Sequence, residues 1–176
     1  TVNGQAVGWD HRLQDGDRVA VYPTLFALTP EPTVELRSCD EPVGRFVLDV
    51  HLGRLARWLR LLGLDAAYTN WYDDETLARL SQDEHRILLT RDRRLLMRSI
   101  VAHGYWVRAQ EPRAQLLEVL ERYDLLALSH PYTRCAHCNA LLEPVPREEI
   151  AHLLQPDTAL YYDEFTRCSA CGQVYW

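Results

Sequence analysis

Between residues 45 and 128, short apolar runs alternate with amphipathic stretches, and glycines fall where the stretches end. The spacing predicts strands over 46–50, 65–69, 86–90 and 105–108, and helices over 51–62, 74–84, 92–103 and 112–123. Gly63 and Gly104 close the first and third helices. Alternation at this spacing restricts the chain to a parallel sheet covered by helices, an α/β fold. The first helix has the clearest pattern. Leu52, Leu55, Ala56, Leu59 and Leu62 recur at three- and four-residue steps and make one apolar stripe, with Arg54, Arg57 and Arg60 on the other side.

Three acids stand at the boundaries of these elements. Asp49 ends the run Phe46-Val47-Leu48, Asp92 follows Leu88-Leu89-Thr90-Arg91, and Asp74 opens the second helix. In an open parallel sheet, ligands bind beyond the carboxyl ends of the strands, and a helix that follows a strand starts at the same edge. Carboxylates converging there repel one another unless a cation neutralises them. Mg²⁺ and Mn²⁺ take such oxygen ligands and activate water for phosphate chemistry. Asp49, Asp74 and Asp92 are therefore candidate ligands and catalytic residues, with Asp73 and Glu75 as auxiliary acids. Each aspartate is also a good helix N-cap. Taken singly, capping is the simpler role, and the shared edge is what favours a site.

Arg54, Arg57, Arg91 and Arg94, with Arg93 beside them, place guanidinium forks near these acids, suited to a phosphodiester. For any one arginine, a solvated helix face accounts for it equally well. Trp58, Trp71 and Tyr72 are candidates to stack on unpaired bases, although Trp58 borders the apolar stripe and suits the core. Thr90 is placed to orient a metal ligand or a water. The chain has 19 basic residues and a net charge of −6, and every basic residue is arginine. The charge is uneven: residues 45–98 hold 10 arginines against 8 acids, whereas 1–44 hold 3 against 7 and 135–176 hold 2 against 6. The middle of the chain repels an anionic substrate least.

Two Cys-x-x-Cys pairs, Cys135/Cys138 and Cys168/Cys171, supply four thiolates for a tetrahedral Zn²⁺ of the structural kind. Their separation exceeds the usual ribbon spacing of ~15–20 residues, so an inserted helix or hairpin is expected, and Pro146 to Ile150 opens one. His137 is an alternative ligand, and Cys39 reads as an incidental thiol. No secretory signal is legible, so a reducing, cytoplasmic compartment is expected. No apolar run approaches the ~20 residues of a membrane span. The chain divides into three blocks. Residues 1–37 read as strands and turns, with an Asn3-Gly4 hairpin signal and a strand after Gly16 that Pro23 stops. Pro30 and Pro32 mark a break, and Ser38 to Gly44 a linker. The other blocks are 45–128 and 129–176.

Leu55-Ala56-Arg57-Trp58-Leu59-Arg60-Leu61-Leu62-Gly63, Asp73-Asp74-Glu75-Thr76-Leu77 and Arg86-Ile87-Leu88-Leu89-Thr90-Arg91-Asp92 together resemble the Mut-seven C-terminal RNase family, one of the PIN-like nucleases. The ending Cys168-x-x-Cys171-Gly172-x-x-Tyr175-Trp176 resembles the zinc ribbon that follows the nuclease fold in that family. Val2-Asn3-Gly4 and Leu13-Gln14-Asp15-Gly16-Asp17-Arg18-Val19 resemble the second half of a ubiquitin-like β-grasp domain. No Gly-Gly tail follows it, which argues against covalent sulfur carriage. The resemblance implies a PIN-like nuclease domain over 45–128 with a zinc ribbon over 129–176. It also implies Mg²⁺- or Mn²⁺-dependent cleavage of RNA, with Asp49, Asp74 and Asp92 at the motif positions and a structured RNA such as tRNA as target class. A protein partner for the ubiquitin-like region, at 1–37, is a further expectation. Many PIN-like nucleases place a fourth acid shortly after the third, where this chain has Arg93 and Arg94. A noncatalytic RNA- or protein-binding module on the same fold is therefore the alternative.

Overall fold

The computed structural model describes residues 2, 3, 5, 7, 8, 11–19 and 42–176. The chain divides into two compact units, 1–39 and 40–176. In the first, Val2 and Gln5 exchange both backbone hydrogen bonds, at 2.8 and 2.9 Å. Asn3 takes a φ of 51° between them, the left-handed conformation that the first position of a tight hairpin turn requires. Val2 also bridges Val19 in antiparallel fashion. The Asn3 side chain ties the two turns together, donating to Asp17 at 2.8 Å and accepting from the Arg18 amide at 3.0 Å. The strand's continuation to Pro23, the breaks at Pro30 and Pro32, Cys39 and most of the Ser38–Gly44 linker lie outside the described residues.

The second unit is built on four parallel strands, β1 (Arg45–Leu48), β2 (Asp65–Ala67), β3 (Ile87–Thr90) and β4 (Gly104–Trp106), in the order β2-β1-β3-β4. Four helices connect and cover them: α1 (Gly53–Leu61), α2 (Asp74–Asp83), α3 (Arg93–Leu96) and α4 (Pro112–Tyr123). Central strands covered on both faces read as continuous apolar runs, and Phe46–Leu48 and Ile87–Thr90 are buried throughout. Their period of two sorts the side chains between two cores. Phe46, Leu48, Ile87 and Leu89 join Leu52, Leu55, Leu59 and Val119 from the α1 and α4 side. Val47 and Leu88 join Leu77, Ala78 and Leu95 from α2 and α3. The chain leaves β1 for β2 on one flank and then crosses to β3 on the other, so the sheet's switch point lies between β1 and β3.

Gly63 closes α1 as expected. It sits at φ 82°, its N–H bonds Arg60 O at 2.9 Å, and Leu64 N–H bonds Leu59 O at 3.0 Å. This is the paired C-terminal bonding of a Schellman cap. The third helix is shorter than the sequence pattern predicts. It ends at Leu96, and Met97, Arg98 and Val101 continue in tight turns bonded three residues back. Leu88 N–H bonds His103 O at 2.9 Å, so the chain already pairs with β3 at His103, which a helix running to 103 would not allow. Gly104, expected to stop that helix, instead opens β4, where a Cβ would fall 2.5 Å from Leu96.

The cysteine-bearing segment adds an antiparallel sheet, β5 (Leu142–Pro144), β6 (Thr166–Cys168) and β7 (Val174–Tyr175), in the order β5-β6-β7. The expected insertion between the cysteine pairs holds two short helices, α5 (Arg147–Ile150) and α6 (Pro156–Tyr161). Val145, Ile150, Phe165 and Val174 form its small core.

Candidate active site

Asp49 immediately follows β1. Its N–H donates to Leu89 O at 3.1 Å, which carries the β1–β3 ladder one residue further. The side chain is 7% exposed, but it makes no capping bond to the 3-10 turn that begins at Val50. Instead Oδ2 accepts the hydroxyl of Thr90 at 2.8 Å. Thr90 is fully buried, and its Oγ1 in turn accepts the Asp92 N–H at 2.9 Å. One threonine thus joins the acid that follows β1 to the backbone of the acid that follows β3, at the switch point where open α/β sheets bind ligands. No cationic side chain among the described residues lies within ion-pair distance of Asp49. A buried carboxylate with one neutral hydrogen bond is costly, and its oxygen donors suit a hard cation.

The other acids have partners. Asp92 is exposed, and its Oδ1 caps α3 by accepting from Arg94 N–H at 2.7 Å. Asp73, not Asp74, caps α2, accepting from Thr76 N–H at 2.8 Å. That hydrogen bond holds its carboxyl below the usual range. Asp74 stands in the first turn of α2, exposed, with Oδ2 3.9 Å from Arg98. Glu75 pairs with Arg79 one turn along the helix. Asp49 and Asp92 are therefore linked, while no described contact joins Asp74 to either. Among the described residues, the four cysteines make up the group of three or more ligand side chains gathered around one point.

Arg54, Arg57, Arg91 and Arg94 are exposed, and none forms an ion pair with a described acid. Arg60 departs from the helical pattern. It is 3% exposed rather than on the outer side. Its guanidinium donates to Ala66 O at 2.8 Å, Tyr68 O at 3.3 Å, and the carbonyls of Ala136 and His137 at 3.4 and 2.7 Å. Of the proposed stacking residues, Trp71 is 83% exposed. Tyr72 packs against the α2–α3 core. Trp58 is half-buried and lines a cleft of about 300 Å³ with Arg113, Leu116 and Leu117.

In the cysteine cluster, the four sulfurs lie within 4.8 Å of one another, with Cys135–Cys171 at 3.6 Å and Cys138–Cys168 at 3.3 Å. The two knuckles repeat one geometry. Cys138 N–H points to the Cys135 sulfur and Cys171 N–H to the Cys168 sulfur, both at 3.4 Å. The residue that follows each pair, Asn139 or Gly172, has a φ of 75°. Tetrahedral Zn²⁺ at ~2.3 Å from each sulfur would hold them ~3.8 Å apart, close to this arrangement. Burial raises the Cys135 thiol, but hydrogen bonds from Tyr175 and the neighbouring amides outweigh it and bring it to about 6. His137 is exposed and outside the group.

Residues 44–176 match the family model described as the Mut7-C RNAse domain. The chain belongs to the Mut7-C RNase family. Residues 1–29 match a second model, Mut7-C ubiquitin. No curated protein and no solved structure matches the chain. The Mut7-C span takes in the parallel sheet and the cysteine cluster, and the structure adds polar residues that fasten the two together. Asp65 accepts both Arg86 forks, at 2.7 and 3.3 Å, and the Asn139 amide at 2.7 Å. Asn139 Oδ1 accepts Ala66 N–H at 3.0 Å on the outer edge of β2. Burial pushes Asp65 upward, but Arg86 and Asn139 outweigh it and leave its carboxyl below the usual range. One signal for these residues was open to view: Arg60 falls four positions after Ala56, on the margin of the apolar stripe.

Proposed function

We propose that this chain is a divalent-metal-dependent ribonuclease whose centre is the Asp49–Thr90–Asp92 linkage. One observation supports this most. Asp49 is buried at the switch point of the sheet, caps no helix and has no described cation partner. Its charge is left for a ligand to neutralise. Asp49 and Asp92 would hold Mg²⁺ or Mn²⁺, with Asp74 as a third carboxylate from α2. The bound ion supplies Lewis-acid activation of water and stabilisation of the leaving oxygen. Thr90 fixes the orientation of the Asp49 carboxylate. Arg91 and Arg94 meet the phosphodiester with forked guanidiniums, while Arg54 and Arg57 extend the cationic surface along α1. The four cysteines hold a structural Zn²⁺, and the ubiquitin-like segment offers a surface to a protein partner. RNA is the substrate class, with a structured RNA such as tRNA as the expected target and the cytoplasm as the site of action. Among the described residues, no helix is long and apolar enough to cross a membrane.

The second reading, a noncatalytic RNA-binding module, is favoured by the pairing of Asp74 with Arg98. A cleavage assay on labelled RNA separates the two. The parent should release product in Mn²⁺ and stop with a chelator, while Asp49→Asn and Asp92→Asn should fall to background. Equal product from parent and variants would refute catalysis at this site. DNA of the same sequence, added as competitor, tests the preference for RNA.

A further inference from the structure

Trp106 ends β4 at the same edge of the sheet. It is 38% exposed, and its register partner on β3 is Thr90, the residue that joins the two aspartates. The neighbouring Val107 and Tyr105 supply the packing against the core, so the fold does not need the indole. Its orientation is nevertheless set, because the ring N–H donates to Arg91 O at 3.2 Å, in the turn that carries Asp92. The Arg93 guanidinium lies 5.1 Å from the ring centroid and that of Arg108 6.0 Å. Among the described residues, Arg91, Arg93, Arg94 and Arg108 form no ion pair with a carboxylate. Arg93 and Arg108, neither in an ion pair, share one fixed, exposed indole and repel each other. An anion carrying a π-face relieves that repulsion and uses the ring.

We propose that Trp106, with Arg93 and Arg108, is a subsite for an unpaired nucleotide that flanks the scissile phosphodiester. This rests on the RNA-directed reading above. The base stacks on the indole and the guanidinium planes, and the adjoining phosphates meet Arg91 and Arg94. Stacking of this kind accepts any base, because every base has a π-face. It requires that the base be free of its own helix, so the subsite selects single-stranded segments, loops or overhangs over duplex.

Binding in the Asp49→Asn background, where cleavage should not interfere, tests this by fluorescence anisotropy with a labelled 12-nucleotide unpaired oligoribonucleotide and a blunt RNA duplex. Trp106→Ala and Arg93→Ala should each weaken single-strand binding, Trp106→Ala by about tenfold. Trp106→Phe, which keeps a ring, should recover most of the loss, and duplex binding should stay within about twofold. If the background protein binds the single strand and Trp106→Ala binds it equally well, the subsite is overturned and the RNA reading stands. If Trp106→Ala and Trp106→Phe weaken both RNAs alike, a general defect is at work and the subsite is again overturned. If the background protein binds no RNA, both readings fall.

Discussion

At the level of single residues, the hydroxyl of Thr90 is the joint of the candidate site. It donates to Asp49 and accepts from the Asp92 amide, so one oxygen atom ties the Asp49 carboxylate to the backbone of Asp92, two residues that follow different strands. Valine has nearly the same shape and no hydroxyl. In Thr90→Val, the buried Asp49 oxygen loses its donor and the Asp92 amide its acceptor. Partners of this kind beside a metal ligand typically carry about 10–100-fold in activity or metal affinity. Thr90→Val should therefore lose about that much Mn²⁺-dependent cleavage while keeping its far-UV circular dichroism, and Thr90→Ser should recover most of it. Equal activity of Thr90→Val and the parent would show that the hydroxyl serves the fold alone. Asp49 and Asp92 were legible because carboxylates at strand ends stand out from apolar runs. Which of the acids caps a helix was not. Asp49, Asp73, Asp74 and Asp92 are all suitable caps by type, and only the backbone geometry shows that Asp73 and Asp92 perform it.

At the level of elements, the helices the sequence pattern located well are those with local stops. Helix α4 spans 112–123 as expected, from a proline in its first turn to Asp124 in the left-handed conformation. The third helix is cut short because His103 must already pair with β3 to accept the Leu88 N–H, a tertiary requirement that residues 92–103 do not encode. Gly63 shows how firmly a local stop can be held. Its φ is 82°, and a Cβ added there would lie 2.1 Å from His130 O. That carbonyl belongs to the segment whose His130 and Tyr132 amides bond the last carbonyls of α1, at 2.9 and 3.0 Å. Gly63→Ala pays the left-handed penalty of about 1–2 kcal/mol and also displaces this segment. It should lower the stability of the second unit by more than about 2 kcal/mol in urea unfolding monitored by circular dichroism. A loss below about 1 kcal/mol would mean that the segment 130–132 moves aside freely.

At the level of the whole second unit, the parallel sheet and the cysteine segment meet through a small polar network, and Asp65 is its centre. Arg86 grips both carboxylate oxygens from β3's entry, Asn139 reaches it from the first knuckle, and Arg45 and Arg134 lie at 3.7 and 3.9 Å. The sequence hid this because its members are scattered over 95 residues from Arg45 to Asn139 and are brought together only by the tertiary fold. The same network covers the outer edge of β2, an edge that would otherwise expose unpaired backbone. Asp65→Asn leaves the buried Arg86 with Glu84, at 2.7 Å, as its remaining carboxylate, so the cost should fall below the ~3–5 kcal/mol of leaving a buried charge wholly unpaired. The sign with pH follows from the lowered carboxyl. A carboxylate whose folded pKa lies below its unfolded value stabilises the fold above the unfolded pKa, and the contribution is lost as pH falls through the folded pKa. The difference in stability between the parent and Asp65→Asn should thus be constant from about pH 7 to pH 5. It should narrow below about pH 4, as the parent's own carboxyl takes up a proton. Protonation of the cysteine cluster affects both proteins and cancels in the difference. A gap that stays constant down to pH 2.5, measured by urea unfolding at each pH, would show that the Asp65 charge does not hold the two sheets together.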